Sequence, residues 1–126
     1  MEFNIVIDTT DNYAKVITSG HIDVSGIAGT LDAIVSDVNW NPGMNLVVDY
    51  SDSSTIDLNS EKVSAISHLV KAQKERLGSG KMAIVMTSDL DYGYARMFQL
   101  LTEDYIDKEI NVYRDSESAI KWIFTS

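Results

Sequence analysis

Acidic side chains follow several of the strands that hydrophobic patterning predicts. Asp49 and Asp52 follow one buried strand. Asp89 and Asp91 follow the next, and Asp115 follows the last. Ligands of α/β sheets usually bind beyond the carboxyl ends of the strands, and a cluster of carboxylates is what Mg²⁺ requires. Asp is also a favoured helix-capping residue, and each of these acids precedes a predicted helix. We therefore expect caps and solvated loops rather than a metal site, and a Mg²⁺-dependent enzyme is the third of three hypotheses.

The remaining polar residues form no recognisable catalytic motif. The sequence contains no cysteine, which excludes a thiolate nucleophile and Cys-ligated zinc. His21 and His68 lie in no nucleophile motif or metal-ligand spacing, and GxSxG, GxGxxG and P-loop patterns are absent. A phosphoryl-accepting receiver domain would use residues such as Asp49 and Thr87, but it also needs an acidic pair and a Lys that this sequence lacks. We predict no catalytic residues, no metal and no cofactor.

Length and charge limit the class of protein and its partners. The chain has 126 residues, 44% of them hydrophobic, and a net charge of −9. This charge repels phosphate backbones, so nucleic acid is not an expected partner. No basic segment precedes an apolar stretch at the N-terminus, and no apolar run approaches the roughly 18 residues of a membrane span. We expect one domain over residues 1–126, no membrane span and a cytoplasmic location.

Hydrophobic periodicity predicts five strands and four helices in the order ββαβαβαβα. The strands are expected over Phe3–Asp8, Tyr13–Ser19, Met44–Asp49, Met82–Met86 and Glu109–Tyr113. The first two form an antiparallel hairpin over residues 3–19. The apolar runs in the third and fourth strands are continuous rather than alternating, which is typical of strands covered on both faces. The predicted fold class is α/β, with a mixed sheet in which an N-terminal antiparallel hairpin precedes βα units.

Each predicted helix begins at a residue that can cap it. The expected caps, in chain order, are Asp23 or Ser25, Asn59 or Ser60, Asp89 or Asp91, and Ser116. The first helix is expected to continue up to Trp40 and the second to Gly78. In the third helix, helical spacing predicts a stripe against the sheet, made of Tyr94, Met97, Phe98, Leu101 and Tyr105.

The segment Leu46–Ser51, followed by Thr55–Ser60, resembles the STAS domain. In that family a strand ends in an Asp, and a short loop leads to Asp-Ser-Ser/Thr-Gly at a helix start. Asp57 falls on the motif Asp, Leu58 on the phosphorylatable Ser of anti-sigma-factor antagonists, and Ser60 on the Gly. The resemblance implies a switch region of Asp49, Asp57, Leu58, Asn59 and Ser60. Because Leu58 has no hydroxyl, we expect the phosphoserine switch to be absent; phosphate on Ser53, Ser54 or Ser60 would contradict this.

Three further segments are similar to the SpoIIAA-like branch, also described as STAS/SEC14-like, of small stand-alone bacterial proteins. They are Asn39–Gly43, Tyr92–Met97 and Ser118–Ile123. Together with the STAS-like segment they extend the resemblance over nearly the whole chain. It implies the same fold that the periodicity predicts, and it informs fold far more than function.

Two hypotheses of a non-catalytic function rank above the metal-dependent enzyme. The first is a regulatory or protein-interaction module, and the second is a binding domain for a small apolar ligand or lipid, suggested by the SEC14-like relation. The candidate interaction surface is Tyr92, Arg96 and Leu100, which would contact a protein partner or form a homodimer. Leu100 is expected at the edge of the apolar stripe of the third helix, where it remains exposed.

Overall fold

The chain begins with an antiparallel hairpin whose second strand joins a parallel sheet. The structure is a computed structural model that describes residues 1–125. The strands lie side by side in chain order, as β1 (Glu2–Asp8), β2 (Tyr13–His21), β3 (Asn45–Ser54), β4 (Gly80–Val85) and β5 (Lys108–Tyr113). β1 runs antiparallel to β2, and the other neighbouring pairs are parallel. This mixed sheet confirms the predicted fold class and the N-terminal hairpin.

Helices cover the two faces of the sheet unequally. They are α1 (Val24–Val35), α2 (Ser60–Ala72), α3 (Lys74–Leu77), α4 (Asp89–Thr102) and α5 (Ser116–Ile123). Side chains of α1, α2 and α4 form the larger apolar core with Leu46, Val48 and Ile84 of the sheet. α5 packs on Val47 and Val85. We call the first side of the sheet the three-helix face and the second the α5 face.

β3 lies at the centre of the sheet and is buried on both faces. Side chains alternate along a strand, so Leu46 and Val48 point to the three-helix face while Val47 points to the α5 face. All three are at most 7% exposed. Burial on both sides explains why the apolar run in this strand is continuous, as predicted.

Two helices end earlier than helical spacing predicts. α1 ends at Val35 rather than Trp40, because the Asp37 carboxylate accepts the backbone N–H of Asn39 at 2.9 Å and turns the chain. The second predicted helix is divided at Gln73 into α2 and α3. In α3, the backbone carbonyl of Arg76 accepts a hydrogen bond from the Trp40 indole N–H at 2.9 Å.

Sequence patterning identifies two of the four helix caps correctly. Asp23 caps α1 and Asn59 caps α2, as two of the named alternatives predicted. The cap of α4 is Ser88 rather than Asp89 or Asp91, because its hydroxyl is placed to accept the N–H of Asp91 at 3.1 Å. The two acids instead lie in the first turn, where negative charge favours the helix dipole.

Asp115, not Ser116, caps α5. Its carboxylate accepts the backbone N–H of Ser118 at 2.7 Å and the Ser118 hydroxyl at 3.0 Å. These two hydrogen bonds lower the pKa of the Asp115 carboxyl group, because they favour its charged form.

Tight contacts between loops close the amino end of the sheet. Gly78 has a φ of +70°, and a Cβ there would lie 2.5 Å from the backbone nitrogen of Gly43, so glycine is required. Nearby, the buried Lys108 ammonium donates to the carbonyls of Met44 and Ser79, each at 2.5 Å. It also lies 5.5 Å from the centroid of the Trp40 ring. One buried cation thus connects three separate chain segments.

We predict that Lys108 makes stability rise with pH. Burial lowers its pKa from 10.5 to about 8, so between these values the unfolded chain retains a proton that the folded chain releases. The free energy of unfolding should therefore increase by about 1–2 kcal/mol between roughly pH 7.5 and 9.5, and less so in Lys108→Met. Urea unfolding of both proteins across this range measures the difference. Equal slopes for the two proteins would contradict the prediction.

Candidate functional site

A cavity of about 90 Å³ lies between the three-helix face of the sheet and the helices α1, α2 and α4. Its lining is almost wholly apolar and comes from five elements and the loops beside them. The sheet contributes Leu46, Val48, Tyr50, Met82, Ile84 and the adjacent Met86. The helices and loops contribute Ile22, Ile27, Thr30, Leu31, Ile34, Leu58, Val63, Ile66, Val70, Tyr94, Ala95 and Phe98.

Hydrogen bonds hold the helices around the cavity at fixed positions. The hydroxyls of Ser67 in α2 and Thr102 in α4 are 2.6 Å apart and buried. The Gln99 side-chain amide donates to the carbonyl of Ile110 at 2.6 Å, which fixes α4 to β5. Ala95 offers only a methyl group toward the space between these contacts. The cavity persists because α4 cannot move inward without breaking buried hydrogen bonds.

An empty cavity of this size has a considerable energetic cost. Protein interiors are close-packed, with few voids larger than a water molecule. At roughly 24 cal/mol per Å³, a fully enclosed void of about 90 Å³ would cost about 2 kcal/mol, and a space that opens to the surface costs less. The net stability of a domain is only about 5–15 kcal/mol. Apolar atoms that filled this space would gain contacts that its lining now lacks.

Two of the three polar side chains that line the cavity, Tyr50 and Tyr94, lie toward the carboxyl ends of β3 and β4. There the Tyr94 hydroxyl donates to the carbonyl of Leu58 at 3.3 Å. The Tyr50 hydroxyl has no hydrogen-bond partner within residues 1–125, and burial raises the pKa of Tyr50 well above its ordinary value. Thr30, on α1, donates to the carbonyl of Gly26 at 2.8 Å. Tyr50 is therefore the lining side chain whose donor is unused.

The loop between β3 and α2 contacts α4 at this end of the cavity. The hydroxyl of Thr55 bonds the carboxylate of Asp91, which links the chain before α2 to the first turn of α4. Beside this bond, Ile56 is 72% exposed and Leu90 is 64% exposed. Two large apolar side chains thus flank the contact between the loop and α4.

The structure separates Asp49 from the other four residues of the predicted switch region. Asn59 caps α2 by accepting the N–H of Lys62 at 2.9 Å, and Ser60 is the first residue of the helix. Asp57 pairs with His21 at 3.1 Å on the surface, while Leu58 is half-buried and lines the cavity. Asp49 alternates with Val48 and so points to the α5 face, where its carboxylate accepts the Ser51 N–H at 2.9 Å.

The predicted interaction surface on α4 is partly covered. Leu100 is 73% exposed. The Arg96 guanidinium bonds the side-chain oxygen of Gln99 on the same helix. Tyr92 is half-buried, and the Arg114 guanidinium lies 4.4 Å from its ring centroid. These three residues recur every four positions and share one side of the helix, where Arg96 and Leu100 are exposed and Tyr92 is half-buried.

The predicted stripe of α4 is wrong at its carboxyl end. Leu101 is 37% exposed and Tyr105 is 63% exposed, so neither is buried against the sheet. Instead Gln99 and Thr102 are buried, because their hydrogen bonds to β5 and α2 satisfy their polar groups. The helix gives way to a 3-10 turn at Glu103–Tyr105, and the Lys71 ammonium lies 4.3 Å from the centroid of the Tyr105 ring.

The acids that patterning places after the strands make separate contacts. Asp89 pairs with Arg114 at 2.8 Å, Asp91 bonds Thr55, and Asp115 caps α5. Within residues 1–125, no three histidine, aspartate or glutamate side chains are arranged to hold a metal ion. No helix in this part of the chain is long and apolar enough to cross a membrane.

Comparisons with known proteins identify the fold. No protein-family model matches the chain, and no curated protein matches it. A similar solved structure is that of an uncharacterized protein of the DUF3478 family from Shewanella loihica PV-4, described as having a SpoIIAA-like fold. The two share 15% sequence identity with a TM-score of 0.62, over 97% of this chain and 92% of the other. The chain therefore has a SpoIIAA-like fold, as the sequence resemblance implied.

We predict that filling the cavity will not destabilise the protein. Ala95→Leu adds apolar atoms to a void, so the free energy of unfolding should stay constant or rise by up to about 1 kcal/mol. Ala119→Leu is the matched control, because Ala119 belongs to α5, is 0% exposed and packs against the α5 face of the sheet. Overpacking there should cost about 1–3 kcal/mol.

Urea unfolding of the two variants and the wild type measures this difference. An equal loss of stability in both variants would mean that the space beside Ala95 is not available to a ligand.

Proposed function

We propose that this protein is a non-catalytic binding domain for a small, largely apolar molecule, held between the sheet and the helices α1, α2 and α4. The observation that carries the proposal is the cavity of about 90 Å³. An engineered apolar cavity of about 150 Å³ in another protein stays dry and binds benzene. A single ring or a short alkyl segment is the size of ligand that this space suits.

The position and lining of the cavity support this role. Ligand pockets are concave, mostly apolar and carry a few placed polar groups, and in α/β sheets they lie at the carboxyl ends of strands. Here the polar groups are the Tyr50 and Tyr94 hydroxyls at that end. Leu58, which stands where STAS antagonists carry their phosphorylatable Ser, contributes an apolar side chain to the same space. The role of this position would then be contact with the ligand.

Native mass spectrometry of freshly purified protein tests the proposal. We expect a discrete added mass on the folded protein that disappears on denaturation, because a bound molecule is released when its cavity opens. The Ala95→Leu variant, purified in parallel, should carry less of it. If the wild type shows only the mass of the chain and does not retain added toluene or benzyl alcohol, the proposal is wrong.

A regulatory or protein-interaction module is the second candidate, and the exposure of Leu100 favours it. Leu100 is 73% exposed and lies beside an Arg and a Tyr, two residue types that are enriched at the centres of interfaces. Burial of such a Leu contributes about 1.5–3 kcal/mol. This surface would bind a protein partner or a second copy of the chain, and it lies outside the cavity.

We predict that Leu100→Glu weakens self-association or partner binding at this surface, because it places a charge where an apolar side chain would be buried. The matched control is Val38→Glu, since Val38 is 93% exposed in the loop after α1. Sedimentation velocity at equal concentrations compares the wild type and both variants, and circular dichroism checks their folding. A monomeric wild type, or a Leu100→Glu dimer of unchanged affinity, would exclude the homodimer.

A further inference from the structure

The two ends of the cavity differ in the polarity of their lining. Most of its residues are apolar, and the two tyrosines lie with Leu58 near the carboxyl ends of the strands. Toward the amino end the lining consists of side chains such as Leu46, Val70 and Met82. A molecule that matched this distribution would have an apolar body and one polar end.

Tyr50 and Tyr94 differ in what their hydroxyls can offer. The Tyr94 hydroxyl already donates its proton to the carbonyl of Leu58. The Tyr50 hydroxyl has no partner within residues 1–125, although Tyr50 lines the cavity. Because this hydroxyl is not fully shielded from solvent, it can bond water in the free protein, and a ligand that covers it must supply an acceptor to replace that bond.

The charges near the cavity argue against an anionic polar end. The lining contains no Lys, Arg or His. Asp57 and Asp91 belong to the loop and helix at the polar end, and the nearby Lys62 ammonium already donates to the carbonyl of Asp57 at 2.7 Å. A carboxylate would therefore lose its hydration without gaining a cation, which is strongly unfavourable.

We propose that the ligand is a neutral amphipathic molecule whose alcohol, ester, ether or carbonyl oxygen accepts a hydrogen bond from the hydroxyl of Tyr50, while its apolar body fills the cavity. This inference rests on the proposed function and adds the chemical class of the ligand. The shape of the cavity selects the body, and Tyr50 selects the polar end.

Three matched probes test the class: benzyl alcohol, toluene and benzoate share one ring and differ in the attached group. Their dissociation constants are measured by the chemical shifts of backbone amides, for the wild type and for Tyr50→Phe. Loss of one hydrogen bond should weaken benzyl alcohol about fivefold to tenfold in Tyr50→Phe. Toluene should change less than about twofold in the same variant, because it makes no hydrogen bond to Tyr50. Benzoate should bind the wild type at least about tenfold more weakly than benzyl alcohol.

Tyr94→Phe is the control, because the donor of Tyr94 is already bonded to the backbone and its loss should change benzyl alcohol and toluene by the same factor. Equal weakening of both neutral probes by Tyr50→Phe would mean that Tyr50 acts through shape alone. An unchanged affinity for benzyl alcohol would mean that water satisfies the hydroxyl, and preferred binding of benzoate would mean that the ligand is an anion. Each of these results overturns the inference while the cavity remains a binding site.

If none of the three probes binds the wild type and the purified protein carries no added mass, the proposed function fails and this inference fails with it. The two failures are distinguishable. The proposed function fails when no probe binds, whereas the inference alone fails when probes bind without the expected preference for a neutral acceptor.

Discussion

The burial of β3 on both faces is the constraint on which the rest of the structure depends. Its register between β2 and β4 assigns Leu46 and Val48 to the three-helix face and Val47 to the α5 face. Tyr50 follows where the pairing with β2 is irregular, and it packs against the core of the three-helix face. A shift by one residue would exchange these sets, since side chains alternate with a period of two. The same register therefore builds the large core and positions the surface on which α5 packs.

A cavity next to a close-packed core requires a frame that does not collapse. On the helix side, the Ser67 and Thr102 hydroxyls fix α2 to α4, and Gln99 fixes α4 to β5. At the amino end, Lys108 connects the loops before β3 and β4 through two carbonyls. Apolar residues at these buried positions would need no hydrogen-bond partners. The hydrogen bonds of the polar groups are specific in direction, so they hold elements apart as well as together.

Local patterns in the sequence predict the elements, while the candidate site depends on distances between them. The hairpin and the apolar runs of β3 and β4 follow from periodicity, which can be recognised within a short segment of sequence. The extension of β3 through Ser54 could not be read this way, because Asp and Ser are poor strand formers and pairing with β2 holds them there. Alternation after Val48 could have pointed to Tyr50. Nothing local marks Ala95, because a void is defined by side chains from several elements.

The position of Leu58 bears on the choice between the proposed ligand cavity and a phosphorylation switch. Asn59 still caps α2, so the helix start that the STAS resemblance implies is retained without a hydroxyl at the preceding residue. The side chain that replaces the hydroxyl is turned into the fold and lines the cavity. A phosphate needs an exposed oxygen beside the helix N-terminus, whereas an apolar ligand needs a buried hydrocarbon surface. One residue cannot supply both, so a Leu at this position favours a binding cavity over a phosphorylation switch.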